Sequence, residues 1–141
     1  MSKAAGILAP GGPEALKLID VAEPQAGAGQ VRVRVRAAGV QPFDIAVVQG
    51  FVLPGTGPGF PRIPGNEFAG VIDQIGDGAT GFALGDEVLG FGMLNGCAEY
   101  VVAGADQVTA KPAGMPWEVA GGFSAGAQTA HIALTEVGAA Q

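Results

Sequence analysis

The sequence predicts a mainly β domain, a small barrel of short strands with short helices and a helical segment at its C-terminal end. Three observations carry this. Val31, Val33 and Val35 alternate strictly with Arg32, Arg34 and Arg36, which is the period of a half-buried strand. The 48% of hydrophobic residues come with 25 glycines and 10 prolines, which punctuate short strands and are costly inside long helices. From Pro116 the period changes, and Val119, Phe123, Ala127, Ala130, Leu134 and Val137 fall three or four apart, as on one face of a helix.

The elements follow in order. Residues 3–8 and 15–21 are short apolar segments parted by APGGPE, whose Gly and Pro suit a turn. In the alternating strand over 31–36, the three arginines read as a solvated face rather than as an anion site. Pro42 then opens a short helical turn that Gly50 ends. Residues 51–65 hold five prolines or glycines between Pro54 and Gly59, so they form a loop without secondary structure of its own, and loops of this length are functional or mobile. Strands are expected near 67–75, 86–91, 96–103 and 106–110, ending at Lys111-Pro112. Beyond Pro116, Gly121 and Gly122 weaken the middle of the helical segment and Ser124 suits an N-cap. A short helix therefore precedes a longer one that ends near Gly138. Trp117 and Phe123, at helical spacing, read as core. The division expected is a barrel over 1–115 and a helical segment over 116–141.

Composition excludes several classes of function. A chain of 141 residues fits one domain, able to bury roughly two thirds of its unfolded surface without disulfide or metal. A net charge of −6 with only 7 Lys and Arg argues against a nucleic-acid partner, since phosphate binding needs clustered positive charge. Cys97, the one cysteine, has no intramolecular disulfide partner; it suits a reducing compartment and reads as a small buried hydrophobe. No apolar run approaches the ~20 residues that span a bilayer, and Pro10 breaks the N-terminus before a secretory apolar region could form. A cytoplasmic protein without a membrane partner is expected.

Gly76-Asp77-Gly78-Ala79-Thr80-Gly81 matches the glycine spacing of a dinucleotide fingerprint. That motif holds pyrophosphate only where a helix begins at the glycines. Here FALGDEVLGF follows, and Gly85-Asp86 interrupts any helix, so the segment reads as a turn between two strands. Asp44 is placed to favour the dipole of the helical turn it opens, and Glu67, a lone carboxylate in a strand, reads as a structural hydrogen-bond acceptor. His131 reads as a packing or surface residue.

The pattern PxIPGxExAGVIxxIGxGxxxFxxGDxV over 61–88, then GCAEYVVA at 96–103 and Thr129-Ala130 in the helical segment, resembles the N-terminal catalytic domain of zinc-independent medium-chain dehydrogenase/reductases, the quinone oxidoreductases and related enoyl reductases. The resemblance runs from about residue 3 to about residue 138. It implies a GroES-like β-barrel that lines the nicotinamide end of a cleft, beside a Rossmann domain that would begin near Gln141. It further implies NADPH as cofactor, a small conjugated carbonyl or quinone as substrate, and a homodimer for the full-length form. In zinc-dependent relatives a Cys-His pair would fall at Gln41 and Pro42 and a second His at Asn66. None of the three anchors zinc here, so no metal is expected. Gln41 falls where the family's motif carries an amide facing the nicotinamide or the substrate carbonyl, and is the expected catalytic and cofactor-binding residue. Phe43, with the loop 51–62, is expected to shape an apolar pocket, and Thr129 to face the cofactor. Relatives often carry Tyr and Arg where this chain has Ala46 and Val48, which alters the polarity of the pocket. On this reading the chain is the substrate-side part of an NAD(P)H-dependent quinone or enone oxidoreductase, inactive alone. The rival is a non-catalytic GroES-like binding or structural module.

Overall fold

The computed structural model describes residues 1–55 and 59–138. The alternating valines and arginines lie in β3 (Gln30–Ala38), which follows β1 (Ser2–Gly6) and β2 (Lys17–Val21) and precedes α1 (Pro42–Val48), β4 (Glu67–Ile75) and β5 (Glu87–Phe91). Then come β6 (Tyr100–Gly104), β7 (Val108–Ala110), α2 (Trp117–Gly121) and α3 (Ser124–Ile132), which a π-helical turn, Ala133–Val137, extends. All the strand pairs described are antiparallel. β1 pairs with β2, while β6, β3, β4, β5 and β7 lie in that order in one five-stranded sheet curled into a half-barrel. The β3–β4 pairing shifts register twice, with Asp73 of β4 as the extra residue between Arg32 and Val33 and Arg36 of β3 as the extra residue between Val35 and Ala37. The chain is thus mainly β, as the alternation and the turn residues predict.

Strand alternation builds the core. Val31 and Val33 from β3 meet Phe68 and Ile72 from β4, Val88 from β5, Val101 and Ala103 from β6 and Val108 from β7 in one buried cluster. On the other face of the sheet Ala69 and Leu89 pack against Ala120 of α2, with Met115 and Trp117 around them. β4 is therefore covered on both faces, which explains why 68–72 is a continuous run without polar side chains rather than an alternation. The arginines lie on the outer side: Arg32 forks onto Asp73 at 2.9 and 3.1 Å and lies over the Tyr100 ring, whereas Arg34 and Arg36 are exposed.

The glycine-rich segment after β4 is a connection between strands. It leaves β4 at Ile75, has positive φ at Gly78, Gly81 and Gly85, and enters β5 at Glu87, with no helix in between. A Rossmann-type phosphate cradle is accordingly not formed there.

Four local expectations are corrected. Residues 96–99 are not part of β6 but run irregularly beside β1, with Ala5 N–H donating to the Cys97 carbonyl at 2.8 Å and Glu99 N–H to that of Lys3 at 2.9 Å. A 3-10 turn, Ala105–Gln107, occupies the first half of the strand expected over 106–110. Ser124 is the first residue of α3 and not its cap, because the Glu67 carboxylate accepts from the Ala125 N–H at 2.7 Å. Finally, Phe123 is 46% exposed. The helices approach the sheet through small residues, and a Cβ on Gly121 would lie 2.6 Å from that of Ala37, so the bulky stripe faces away. Among the described residues no helix is long and apolar enough to cross a membrane.

Candidate active site

Three elements converge at the start of β4. Pro42 fixes the first turn of α1, and Gln41 precedes it in extended conformation as the N-cap. Asp44, only 3% exposed, uses both carboxylate oxygens: Oδ2 accepts from the Gln41 N–H at 2.8 Å, and Oδ1 accepts from the Gly65 N–H at 2.7 Å. One side chain thus holds the start of the helix and the start of the next strand together. The helix-opening role expected for Asp44 is the one it has, with the loop contact added.

Glu67 is fully buried and lies one step further in. Its Oε1 accepts from Gln41 Nε2, and its Oε2 accepts from the Ala125 N–H at 2.7 Å. A carboxylate can lie in this interior because both oxygens are hydrogen-bonded and the N-terminal end of α3 points at it. The neighbouring Gly39 leaves room for it, since a Cβ there would collide with the carboxylate. Glu67 is a structural acceptor, as its isolation in a strand suggests, and it clamps α1 to α3.

Beside this clamp opens a cleft of about 300 Å³ lined by Phe43, Asn66, Phe91, Met93, Ala125, Gln128, Thr129 and Ile132. Of the residues singled out in the sequence, Phe43 and Thr129 both line it. Gln41 stands two residues before Phe43, with one of its two amide N–H groups committed to Glu67. Phe51 packs edge-on against Phe43 with ring centroids 6.3 Å apart, so the loop after α1 supports the cleft wall from behind. Residues 56–58 of that loop lie outside the described residues. The Thr129 hydroxyl donates to the Ala125 carbonyl at 2.8 Å, which leaves its oxygen free to accept.

Asn66, Phe91, Met93, Gln128 and Ile132 escaped the sequence reading as cleft residues. Phe91 is brought there by the register of the sheet, in which it is the partner of Glu67 across β4 and β5. On the far side of α1, Cys97 lines a separate apolar cavity of about 360 Å³ with Leu16, Val40, Ile45 and Val48. Burial, and to a lesser extent the Asp44 charge, push its thiol above the ordinary pKa. His131 is exposed. Among the described residues no group of three or more His, Cys, Asp or Glu side chains is placed to hold a metal ion.

A curled antiparallel sheet with a cleft between its first helix and its C-terminal helix defines a GroES-like domain of the dehydrogenase type. Residues 27–139 match the family described as the alcohol dehydrogenase GroES-like domain, and the chain belongs to it. It is 38% identical over 103 residues to the quinone oxidoreductase of Rattus norvegicus, covering 70% of this chain and 30% of the relative. The crystal structure of the human synaptic vesicle membrane protein VAT-1 homolog-like protein superposes with a TM-score of 0.90 at 32% identity, over 96% of this chain and 43% of that one. The quinone oxidoreductase of Coxiella burnetii gives 0.89 at 28% identity, over 96% and 44%. The family is one of oxidoreductases, and the chain spans about 30% of the length of the curated relatives it matches.

Proposed function

We propose that this chain is the substrate-side domain of a zinc-free, NADPH-dependent quinone or enone reductase, and that it is inactive without a nucleotide-binding domain. The observation that carries the reading is the cleft lined by Phe43 and Thr129, together with the anchoring on Glu67 of the Gln41 amide, two residues before Phe43. Similarity to proteins named quinone oxidoreductase supports the substrate class.

The chain's own residues fit one end of a nicotinamide cofactor and not the other. The cleft has the size and apolar walls for a flat ring. No pyrophosphate cradle is available among the described residues: the glycine-rich turn joins two strands, and the Glu67 carboxylate already lies at the N-terminal end of α3, where it would repel a phosphate. When bound, such a cofactor supplies hydride to an electron-poor carbon. Phe43, Phe91, Met93 and Ile132 would exclude water and hold a conjugated ring flat. The second N–H of the Gln41 amide, oriented by Glu67, would donate to the oxygen on which negative charge develops. This mode needs no acid–base pair in the protein.

Calorimetry tests the division of labour. The chain alone should show no micromolar binding of NADPH. Joined to the nucleotide-binding domain of a quinone oxidoreductase relative, it should bind NADPH and reduce a quinone, and Gln41→Ala there should lower kcat more than it raises the Kd for NADPH. Elemental analysis should find no stoichiometric zinc, since Gln41, Pro42 and Asn66 stand where ligands would be needed. Micromolar NADPH binding by the chain alone, or one zinc per chain that survives a chelator, would overturn the proposal.

A further inference from the structure

The cavity of about 360 Å³ on the far side of α1 shares no lining residue with the cleft. Ala5, Pro64 and Cys97 line it together with Ile45 and Val48 of α1 and with Leu16, which follows the 3-10 turn Pro13–Ala15. Backbone hydrogen bonds tie these segments to one another. The Gly11 N–H donates to the Val48 carbonyl at 3.0 Å, the Ala5 N–H to that of Cys97 at 2.8 Å, and the Cys97 N–H to that of Pro64 at 3.0 Å. The pieces of chain that carry the lining are thus joined before any ligand arrives, which lowers the cost of binding one.

The surface that a ligand would touch there is almost wholly apolar, and the polar groups nearby are already engaged. Both Asp44 oxygens accept backbone N–H groups, from Gln41 and Gly65, and the Gly12 N–H donates to Glu14 Oε1 at 3.0 Å. Cys97 stays a neutral thiol at neutral pH, because burial holds its pKa above the ordinary value. The Gln49 side chain is exposed, and water can meet its needs.

Water gains little from such walls, since a molecule of it needs about two to four polar partners to lie in a cavity. An apolar molecule gains contacts instead. An aliphatic-lined cavity of about 150 Å³ takes up benzene, so one of about 360 Å³ admits one or two rings. Val40 and Ile45, 75% and 54% exposed, also line it, and a ligand would take part of both from water. We propose that this cavity is a second binding site, distinct from the cleft, for a neutral apolar molecule of one or two rings. It stands or falls independently of the cleft as a substrate site.

The test uses the chain Met1–Gln141 labelled with 15N and three probes of similar size: toluene, benzoate and benzylamine. Toluene should shift the backbone amides of Gly12, Leu16 and Ile45 saturably. It should bind there roughly ten-fold or more tightly than either charged probe, which must shed hydration with no free partner to replace it. Ile45→Lys sets a charge on the wall and should weaken toluene binding at these signals by about ten-fold, while Ile45→Val keeps it. Because Ile45 is exposed, both variants should hold their Tm within about 2 °C, which separates lost binding from lost folding. Val40→Lys, at the other exposed apolar residue of the wall, gives the same reading should Ile45→Lys fail to fold. Absence of toluene shifts at Gly12, Leu16 and Ile45, shifts confined to Phe91 and Thr129, or unaltered binding in the lysine variants would overturn the site. Either charged probe binding as tightly as toluene would overturn the apolar class, benzylamine by pointing to the Asp44 charge. Movement of the same amides with protein concentration alone would mean that a second copy of the chain covers the cavity, and the proposal would fall.

Discussion

Two neighbouring residues of β4 show two ways of holding a protein together. Phe68 enters the barrel cluster among apolar side chains from β3, β4, β5, β6 and β7, so its burial is shared among many weak contacts. Glu67, next to it, is equally buried but is held by two hydrogen bonds, one to each of the helices that border the cleft. The core is redundant and non-directional, while the clamp is directional and rests on one bond to each side. A shared apolar core keeps the sheet folded; a carboxylate with two assigned partners decides where α1 and α3 stand relative to each other.

Substitutions can break or sharpen this contrast. Phe68→Ala removes a ring that is 1% exposed from the centre of the cluster and should cost about 3–5 kcal/mol in urea unfolding, the largest effect expected. Glu67→Gln keeps the shape but turns one acceptor into a donor facing a donor, and should cost about 1–3 kcal/mol. Its more telling readout is local: hydrogen exchange at the first amides of α3 should quicken while the amides of β3 and β6 keep their protection. If Glu67→Gln instead loosened the barrel amides to the same degree, clamp and core would be one cooperative unit and the contrast would be lost. Phe123→Ser, on the exposed face of the helical segment, should change stability by no more than about 0.5 kcal/mol.

The same contrast separates what could be read in the sequence from what could not. β3 was legible because its valines and arginines alternate, β4 because proline and glycine bound it on both sides, and α1 because Pro42 and Gly50 mark its ends. These are local signals. Residues 96–99 misled because their strand-like composition is overridden by a close approach of backbones: the Gly96 N–H donates to the Gly65 carbonyl at 2.9 Å, which turns the chain toward β1. The site divides likewise. Gln41, Phe43 and Thr129 stood out through motifs, but the bond from Gln41 to Glu67 joins residues 26 apart, and that from Glu67 to Ala125 joins residues 58 apart. No window of sequence contains either bond. Asn66 was noticed as a position where zinc has no ligand, whereas its place in the cleft depends on Phe91 arriving through the register of β4 and β5.

Asp44 has a consequence for how such a domain can vary. By bonding Gln41 N–H with one oxygen and Gly65 N–H with the other, it closes a ring of chain that leaves at α1 and returns at β4. The two ends of the intervening segment are thus held together by one side chain, and within it Arg62 is tied a second time, by backbone pairing with Ile7. Closing a longer loop costs only about 0.6 kcal/mol per doubling of its length. A change of length between Phe51 and Arg62 should therefore leave Gln41 on one side and Asn66 on the other in their places.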